Sequence, residues 1–242
     1  MQRFQEQGFD IVTRSDTATA SKLLTALRQG DYQVEKVFKD EPRTYIARIR
    51  LGDELYMYKI PRGRYNRRWE RFLTLFRNGE AIRHFLSMDT LLGLNFKAPE
   101  PVMAAEQRQS GMAVDGLLLY RYAPGVEANQ QHAALVTPEL LRLHRLGYMR
   151  RDAHAKNYLI NGEDVVFIDF RLKKPRLLKT LRLQIELSKY LRTMPDGWQY
   201  LPEPLRHSLM LRFSAWLSRQ LRDTRYLRRR LKASIKKLSN KP

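Results

Sequence analysis

The segment from Leu143 to Phe170, LHRLGYMRRDAHAKNYLINGEDVVFIDF, holds the side chains best suited to chemistry. A helix-forming run ends in a loop that carries Asp152, Asn157 follows five residues later, and Asp169 ends an apolar strand beyond a hairpin. A loop aspartate can accept a proton from a hydroxyl, and an amide oxygen with a second carboxylate offers hard donors that suit Mg²⁺. Transfer of a phosphoryl group asks for these parts, because it needs positioning and charge neutralisation more than covalent help. Taken singly, each residue is an ordinary turn, cap or strand-end side chain. The joint order of helix, D-x4-N, hairpin and apolar strand with Asp-Phe is what marks a site.

The elements that must position these groups are legible in outline. Residues 17–30, TATASKLLTALRQG, read as a short helix stopped at Gly30. Three strands follow, YQVEKVF (32–38), TYIARIRL (44–51) and LYMYKIP (55–61), separated by Asp40-Glu41-Pro42 and by Gly52-Asp53, as in an antiparallel meander. Trp69, Phe72, Leu73, Phe76, Ile82, Phe85 and Leu86 recur mostly at spacings of three and four, which predicts one long amphipathic helix from about Arg67 to about Leu92. VMAAEQR and GLLLYRY read as two further strands. Beyond them, TPELLRLHRLG reads as a helix with a Thr137 cap and a stop at Gly147. Asn161-Gly162 joins NYLI to VVFIDF as a hairpin, and the chain from Arg176 onward is helical and basic. Strands first and helices after make an α+β chain.

Composition narrows the partners. The 43% hydrophobic content suffices for a core, and no apolar run is long enough to span a bilayer or serve as a secretory h-region, so a cytoplasmic location is expected. With no cysteine, disulfides, thiolate zinc sites and cysteine nucleophiles are excluded. The balance of 45 Lys and Arg against 25 Asp and Glu gives +20, a surface that draws anionic matter such as acidic glycolipid, anionic lipid or nucleic acid.

The loop and the Asp-Phe strand resemble the protein-kinase-like superfamily. The D-x-H-x-x-N form (Asp152, His154, Asn157) is more similar to small-molecule and lipopolysaccharide kinases than to protein kinases, whose loop usually carries Lys two residues after the Asp. Within that group the chain resembles the lipopolysaccharide core heptose(II) kinases, over most of its length. The similarity includes the KVF strand, the run RYNRRWERFLTLFRNG, the D-x-H-x-x-N loop, and IDF followed by Lys173 and Lys174. The resemblance implies a bilobal fold, with a small antiparallel-sheet N-lobe over residues 1–122 and a helical C-lobe over 123–242. It implies ATP with Mg²⁺ as cofactors and, as acceptor, a heptose of the lipopolysaccharide inner core. By the same match Lys59, in YMYKIP, contacts the inner phosphates and pairs with a helical glutamate, Glu80 being the candidate and Glu70 the alternative. LLLYRYAPG matches the adenine-binding hinge, with the Arg121 carbonyl and the Ala123 amide as contacts and Tyr120 behind them.

Two places depart from the kinase pattern, the turn between the first two strands and Arg171. The turn KDEPRT between the first two strands has no glycine, so backbone cradling of phosphates there is poorly supported. Arg151 stands where such kinases carry glycine or arginine. Arg171 replaces the glycine that normally follows Asp-Phe, which disfavours a flip of that loop. His154 reads either as an aid to Asp152 or a metal-bound water, or as a structural histidine packed in the loop.

From Arg219 to Pro242 the only acid is Asp223, with Leu217, Leu221, Leu231, Ile235 and Leu238 at roughly helical spacing. The last twenty or so residues are expected to contact an anionic inner membrane peripherally, and Leu209, Phe213 and Trp216 upstream to pack on the C-lobe. The arginines at 62, 64, 67, 68 and 71 read as contacts for acidic sugars or as a solvated helix start. Two other readings stay open. One is a different small-molecule or protein kinase on the same fold; the other is a non-catalytic kinase-like binder of anions or nucleic acid. The absence of a stacking platform on a basic groove weighs against nucleic acid.

Overall fold

Alternation and turn chemistry build a seven-stranded antiparallel sheet in the order β1-β2-β6-β7-β5-β4-β3. Its members are β1 (Gln2–Glu6), β2 (Phe9–Thr13), β3 (Gln33–Glu41), β4 (Thr44–Leu51), β5 (Glu54–Ile60), β6 (Pro101–Gln109) and β7 (Met112–Arg121). The computed structural model describes residues 1–217, 219–220 and 224. By contacts the chain divides into two units, one of Met1–Gly125 with Val166–Arg171, the other of Val126–Val165 with the residues from Leu172 onward.

In the first unit, helix α1 (Thr17–Gln29) begins at an Asp16 cap, whose carboxylate accepts from the Thr19 amide at 2.8 Å, and ends at a left-handed Gly30. Its Ala20, Leu24 and Leu27 fall on one face and pack with Ile11, Ile49, Tyr58, Met103 and Leu119 from the sheet. Each large apolar side chain buried this way contributes about 1.5–3 kcal/mol. The β1–β2 hairpin was not anticipated. Its two-residue turn, Gln7-Gly8, has both φ angles positive, a conformation usually marked by Asn-Gly or Asp-Gly.

The single long helix expected over 67–92 is not formed. Its place is taken by α3 (Arg68–Leu73) and α4 (Glu80–Gly93), with a short α2 (Arg62–Tyr65) before them. The break has a local cause at Gly79. The Gly79 amide donates to buried Glu106 at 2.8 Å, and a Cβ there would sit 2.5 Å from Glu106 Oε1. On α4, Ile82, Phe85, Met88 and Leu91 face the core. On α3 the same periodicity points outward: Trp69 is 67% exposed and Phe76, just beyond the helix, is 77% exposed.

The second unit is built on α5 (Ala133–Arg145) and α6 (Lys179–Thr193), with a short α7 (Glu203–Arg206). Helix α5 starts one turn before the expected Thr137 cap; Thr137 is buried inside it and bonds Tyr190 Oη at 2.7 Å. Strands β8 (Val126–Glu127), β9 (Tyr158–Asn161) and β10 (Asp164–Phe167) form a small sheet, with Gly162 left-handed in the expected hairpin turn. Within helical residues 209–217 the expected packing is inverted. Leu211 and Ser214 are fully buried, whereas Leu209, Phe213 and Trp216 are exposed and the two aromatics stack at 5.7 Å. Apart from Thr224, the last twenty residues, read as the membrane contact, lie outside the described residues. No helix among the described residues is long and apolar enough to cross a membrane.

Candidate active site

Lys59 lies near the end of β5, where its register partners are Ile46 on β4 and Leu118 on β7. Apolar neighbours leave its side chain only 10% exposed, and its Nζ donates to Asp169 Oδ1 at 2.9 Å. Asp169 reaches this position because its segment, Val166–Arg171, packs within the first unit. The Phe167 amide donates to the Lys97 carbonyl at 2.9 Å, and the Phe167 ring meets Phe96 edge-on at 5.5 Å. Asp169 itself has φ 46°, a left-handed conformation that aspartate tolerates better than most residues. Its side chain is 62% exposed, so the carboxylate is presented and not sealed in.

The Lys59–Glu80 pair expected from the sequence is replaced by two others. Glu80 accepts from Arg171, two residues beyond Asp169, while Lys59 goes to Asp169. The alternative, Glu70, accepts from Arg77 at 2.9 Å. Arg171 wins Glu80 for a geometric reason. Its guanidinium bonds Glu80 and at the same time donates from Nε to His84 Nε2 at 3.1 Å, two residues one turn apart on α4. An ammonium lacks that fork. His84 Nε2 is therefore an acceptor. The residue that departs from the Asp-Phe-Gly pattern thus latches the Asp169 segment to α4.

The start of α4 rests on a residue the sequence did not single out. Glu106, fully buried on β6, accepts from the amides of Gly79 at 2.8 Å and Ile82 at 3.1 Å and from Tyr65 Oη at 3.1 Å. It caps the helix that carries Glu80 and His84. Burial pushes its carboxyl above the ordinary value, opposed by those amide bonds, by Tyr65 and by Arg108. An acid inside the apolar stretch VMAAEQ was the available signal.

The expected hinge follows β7. The Arg121 amide donates to the Glu100 carbonyl at 2.9 Å, and its side chain turns to Glu54 at 2.6 Å; Ala123 lies in the irregular stretch 122–125. The Tyr120 phenol is held above its usual range by burial first and by the Asp169 charge second.

In the second unit the loop after α5 carries Asp152 and Asn157. Asp152 is exposed, between buried Arg150 and buried Ala153. Asn157 Nδ2 donates to the Asp152 carbonyl at 3.0 Å, which fixes the span of the loop. Arg151 has φ 75°, in the left-handed region where glycine is the usual occupant, so the loop is held by its surroundings. Those surroundings are buried charges. The Arg150 guanidinium stacks over Tyr158 at 4.1 Å and donates to the Asn157 carbonyl at 3.0 Å. Glu186 on α6 accepts from the Arg150 amide at 3.1 Å and pairs with His144 at 3.0 Å. The Tyr158 phenol is pushed up to about 12 by burial, with Arg150 opposing. A further tie joins the Met149 and Lys173 backbones by two bonds of 2.8 Å. His154 is exposed, so the packed structural role considered for it does not hold.

In the first unit Asp169 offers a carboxylate, and in the second Asn157, with its amide nitrogen engaged by Asp152, offers its amide oxygen, each a hard oxygen donor of the kind Mg²⁺ takes. Among the described residues no cluster of three or more His, Cys, Asp or Glu forms a cage. Mg²⁺ is commonly held by one or two protein oxygens plus phosphates and waters.

No protein-family model and no curated protein matches the sequence. Solved structures do. WaaP in complex with acyl carrier protein aligns with a TM-score of 0.58 at 15% identity, over 87% of this chain and 98% of WaaP. The PknI kinase domain of Mycobacterium tuberculosis aligns at 14% identity over 78% of this chain and 83% of that domain, with a TM-score of 0.41. The chain has a protein-kinase-like fold, a sheet-bearing unit and a helical one.

Proposed function

We propose that the chain is an ATP-dependent kinase that phosphorylates a heptose, most simply heptose II, of the lipopolysaccharide inner core. The supporting observation is the Lys59 ammonium on the Asp169 carboxylate, two residues 110 positions apart brought to 2.9 Å on a kinase-like fold. In this reading Lys59 binds the inner phosphates, and Asp169 with Asn157 holds Mg²⁺. Bound Mg²⁺ supplies charge neutralisation at the phosphates. Asp152 receives the proton of the attacking hydroxyl; the bond from that oxygen to the γ-phosphorus forms, the bond to the β-phosphate oxygen breaks, and ADP leaves. The Arg121 carbonyl and Ala123 amide hold adenine. Supporting the sugar acceptor are the D-x-H-x-x-N loop, which lacks the protein-kinase lysine, the sequence resemblance to heptose kinases and the likeness to WaaP. The +20 charge suits a phosphorylated glycolipid at the cytoplasmic face of the inner membrane.

The test is mass spectrometry of core oligosaccharide from cells with and without the gene. Loss of one phosphate from a heptose upon deletion, restored by the wild-type gene, is expected. An unchanged core would remove the heptose assignment. Turnover of ATP on other alcohols or on peptides would then identify which kinase class remains.

A further inference from the structure

The apolar face of α3 and the turn after it is left bare. Trp69, Phe72, Leu75 and Phe76 are all exposed, yet the rings are already assembled. Trp69 stacks on Phe72 at 5.6 Å and 22°, and Phe72 meets Phe76 edge-on at 5.8 Å. The ridge is also fixed to the body of its unit. Thr74 Oγ1 accepts from the Ala113 amide at 2.8 Å, and Arg108 donates to the Thr74 carbonyl at 3.1 Å. Trp69 and Phe76 leave most of their surface uncovered by their own unit.

Its charge identifies what it fits. Residues 62–77 contain six arginines and one acid, Glu70, and Glu70 is paired with Arg77 at 2.9 Å. Arg67, Arg68 and Arg77 are exposed beside the rings. Aromatic side chains that sink to the headgroup–acyl boundary, with arginines at phosphate level, are the chemistry of an interfacial membrane anchor. A base-stacking site suits less well, because Trp69 and Phe72 each spend one face on the other and the ridge lies on a short helix, not in a groove. We infer that the α3 ridge is a membrane-docking surface whose Trp69, Phe72 and Phe76 insert into the interface of an anionic bilayer. It places membrane contact on the sheet-bearing unit, where the sequence pointed only to the C-terminal segment.

The chain has three tryptophans, so each exposed face can report on itself. Full-length protein carrying Trp198→Phe and Trp216→Phe keeps Trp69 as reporter; Trp69→Phe with Trp198→Phe keeps Trp216. Both are mixed with phosphatidylcholine vesicles with and without phosphatidylglycerol. Trp69 emission should shift to the blue and be quenched by lipids brominated on the acyl chain, only when phosphatidylglycerol is present, and less at high salt. Phe72→Ser with Phe76→Ser should lower vesicle partitioning about tenfold. Its melting temperature should fall only slightly, since Phe76 is largely and Phe72 about half exposed, and its turnover of a delipidated core oligosaccharide should stay unchanged. Vesicle binding with Trp69 emission unchanged, a Trp69 response to oligonucleotide instead of lipid, or no vesicle binding would each overturn the inference. Vesicle binding needs no phosphoryl acceptor, so wild-type protein that binds lipid but transfers no phosphate would sink the kinase reading alone.

Discussion

The Asp152 loop and the Asp169 segment are both short stretches holding a left-handed non-glycine residue, yet they are secured in opposite ways. Around Asp152 the supports are buried and distinct from the working groups: Arg150, Tyr158, Glu186 and His144 hold the backbone while the carboxylate stays exposed. Around Asp169 the working groups are among the supports. Lys59 bonds Asp169, and the next side chain but one, Arg171, is tied to Glu80 and His84. Under the proposed function, the first arrangement holds the Asp152 backbone without help from its carboxylate, and the second makes the phosphate-binding lysine and the metal-binding carboxylate each other's partners.

This contrast predicts that the two regions fail differently when changed. Asp169→Asn should lower phosphate transfer by about three orders of magnitude, the loss of several kcal/mol of transition-state stabilisation at the metal. It should barely move the melting temperature, because the pair is exposed on the aspartate side. A large thermal destabilisation would show that the pair is structural. Arg150→Met should do the reverse, costing about 3 kcal/mol in urea unfolding as the Asn157 carbonyl and the Tyr158 ring lose their buried partner. Unchanged stability would mean that the loop is held by other contacts.

Glu106→Ala should cost about 2 kcal/mol, since three buried donors lose their acceptor. The pH dependence carries a sign. The folded protein raises the Glu106 pKa, so it holds this proton more tightly than the unfolded chain. Glu106 therefore favours folding most at low pH, and that contribution is lost as pH rises from the ordinary carboxyl value through the raised one. Glu106→Gln should flatten this part of the stability profile in melts taken upward from the ordinary carboxyl range; an identical slope in the variant would assign it elsewhere. The smallest effect concerns the latch. In an Arg171→Gly background, a double-mutant cycle between Lys59 and Glu80 should show coupling of about 1 kcal/mol that the native chain lacks. No coupling in either background would mean that Lys59 has no access to Glu80 even with the latch removed.

Local pattern carried the strands that bear Lys59 and Tyr120, the Asn161-Gly162 hairpin and the loop with Asp152 and Asn157, because each is written in adjacent residues. The supports were not legible. Arg150 with Glu186, Arg171 with Glu80 and Gly79 with Glu106 lie 36, 91 and 27 positions apart, and nothing local pairs them. Periodicity from Trp69 to Leu86 was real, but it shows only which side chains align. It does not show that Gly79 must abut a buried carboxylate and split the helix, nor that the α3 face is left uncovered while α4 is buried. The inverted face of residues 209–217 repeats that lesson.

The central claim is tested most directly by labelled-phosphate transfer from ATP to purified core oligosaccharide, with wild type and Asp152→Asn side by side and MgATP binding followed by calorimetry. Wild type should label a heptose, and the variant should bind MgATP within about threefold while transferring about a thousandfold more slowly. Equal transfer by the two proteins would contradict the account.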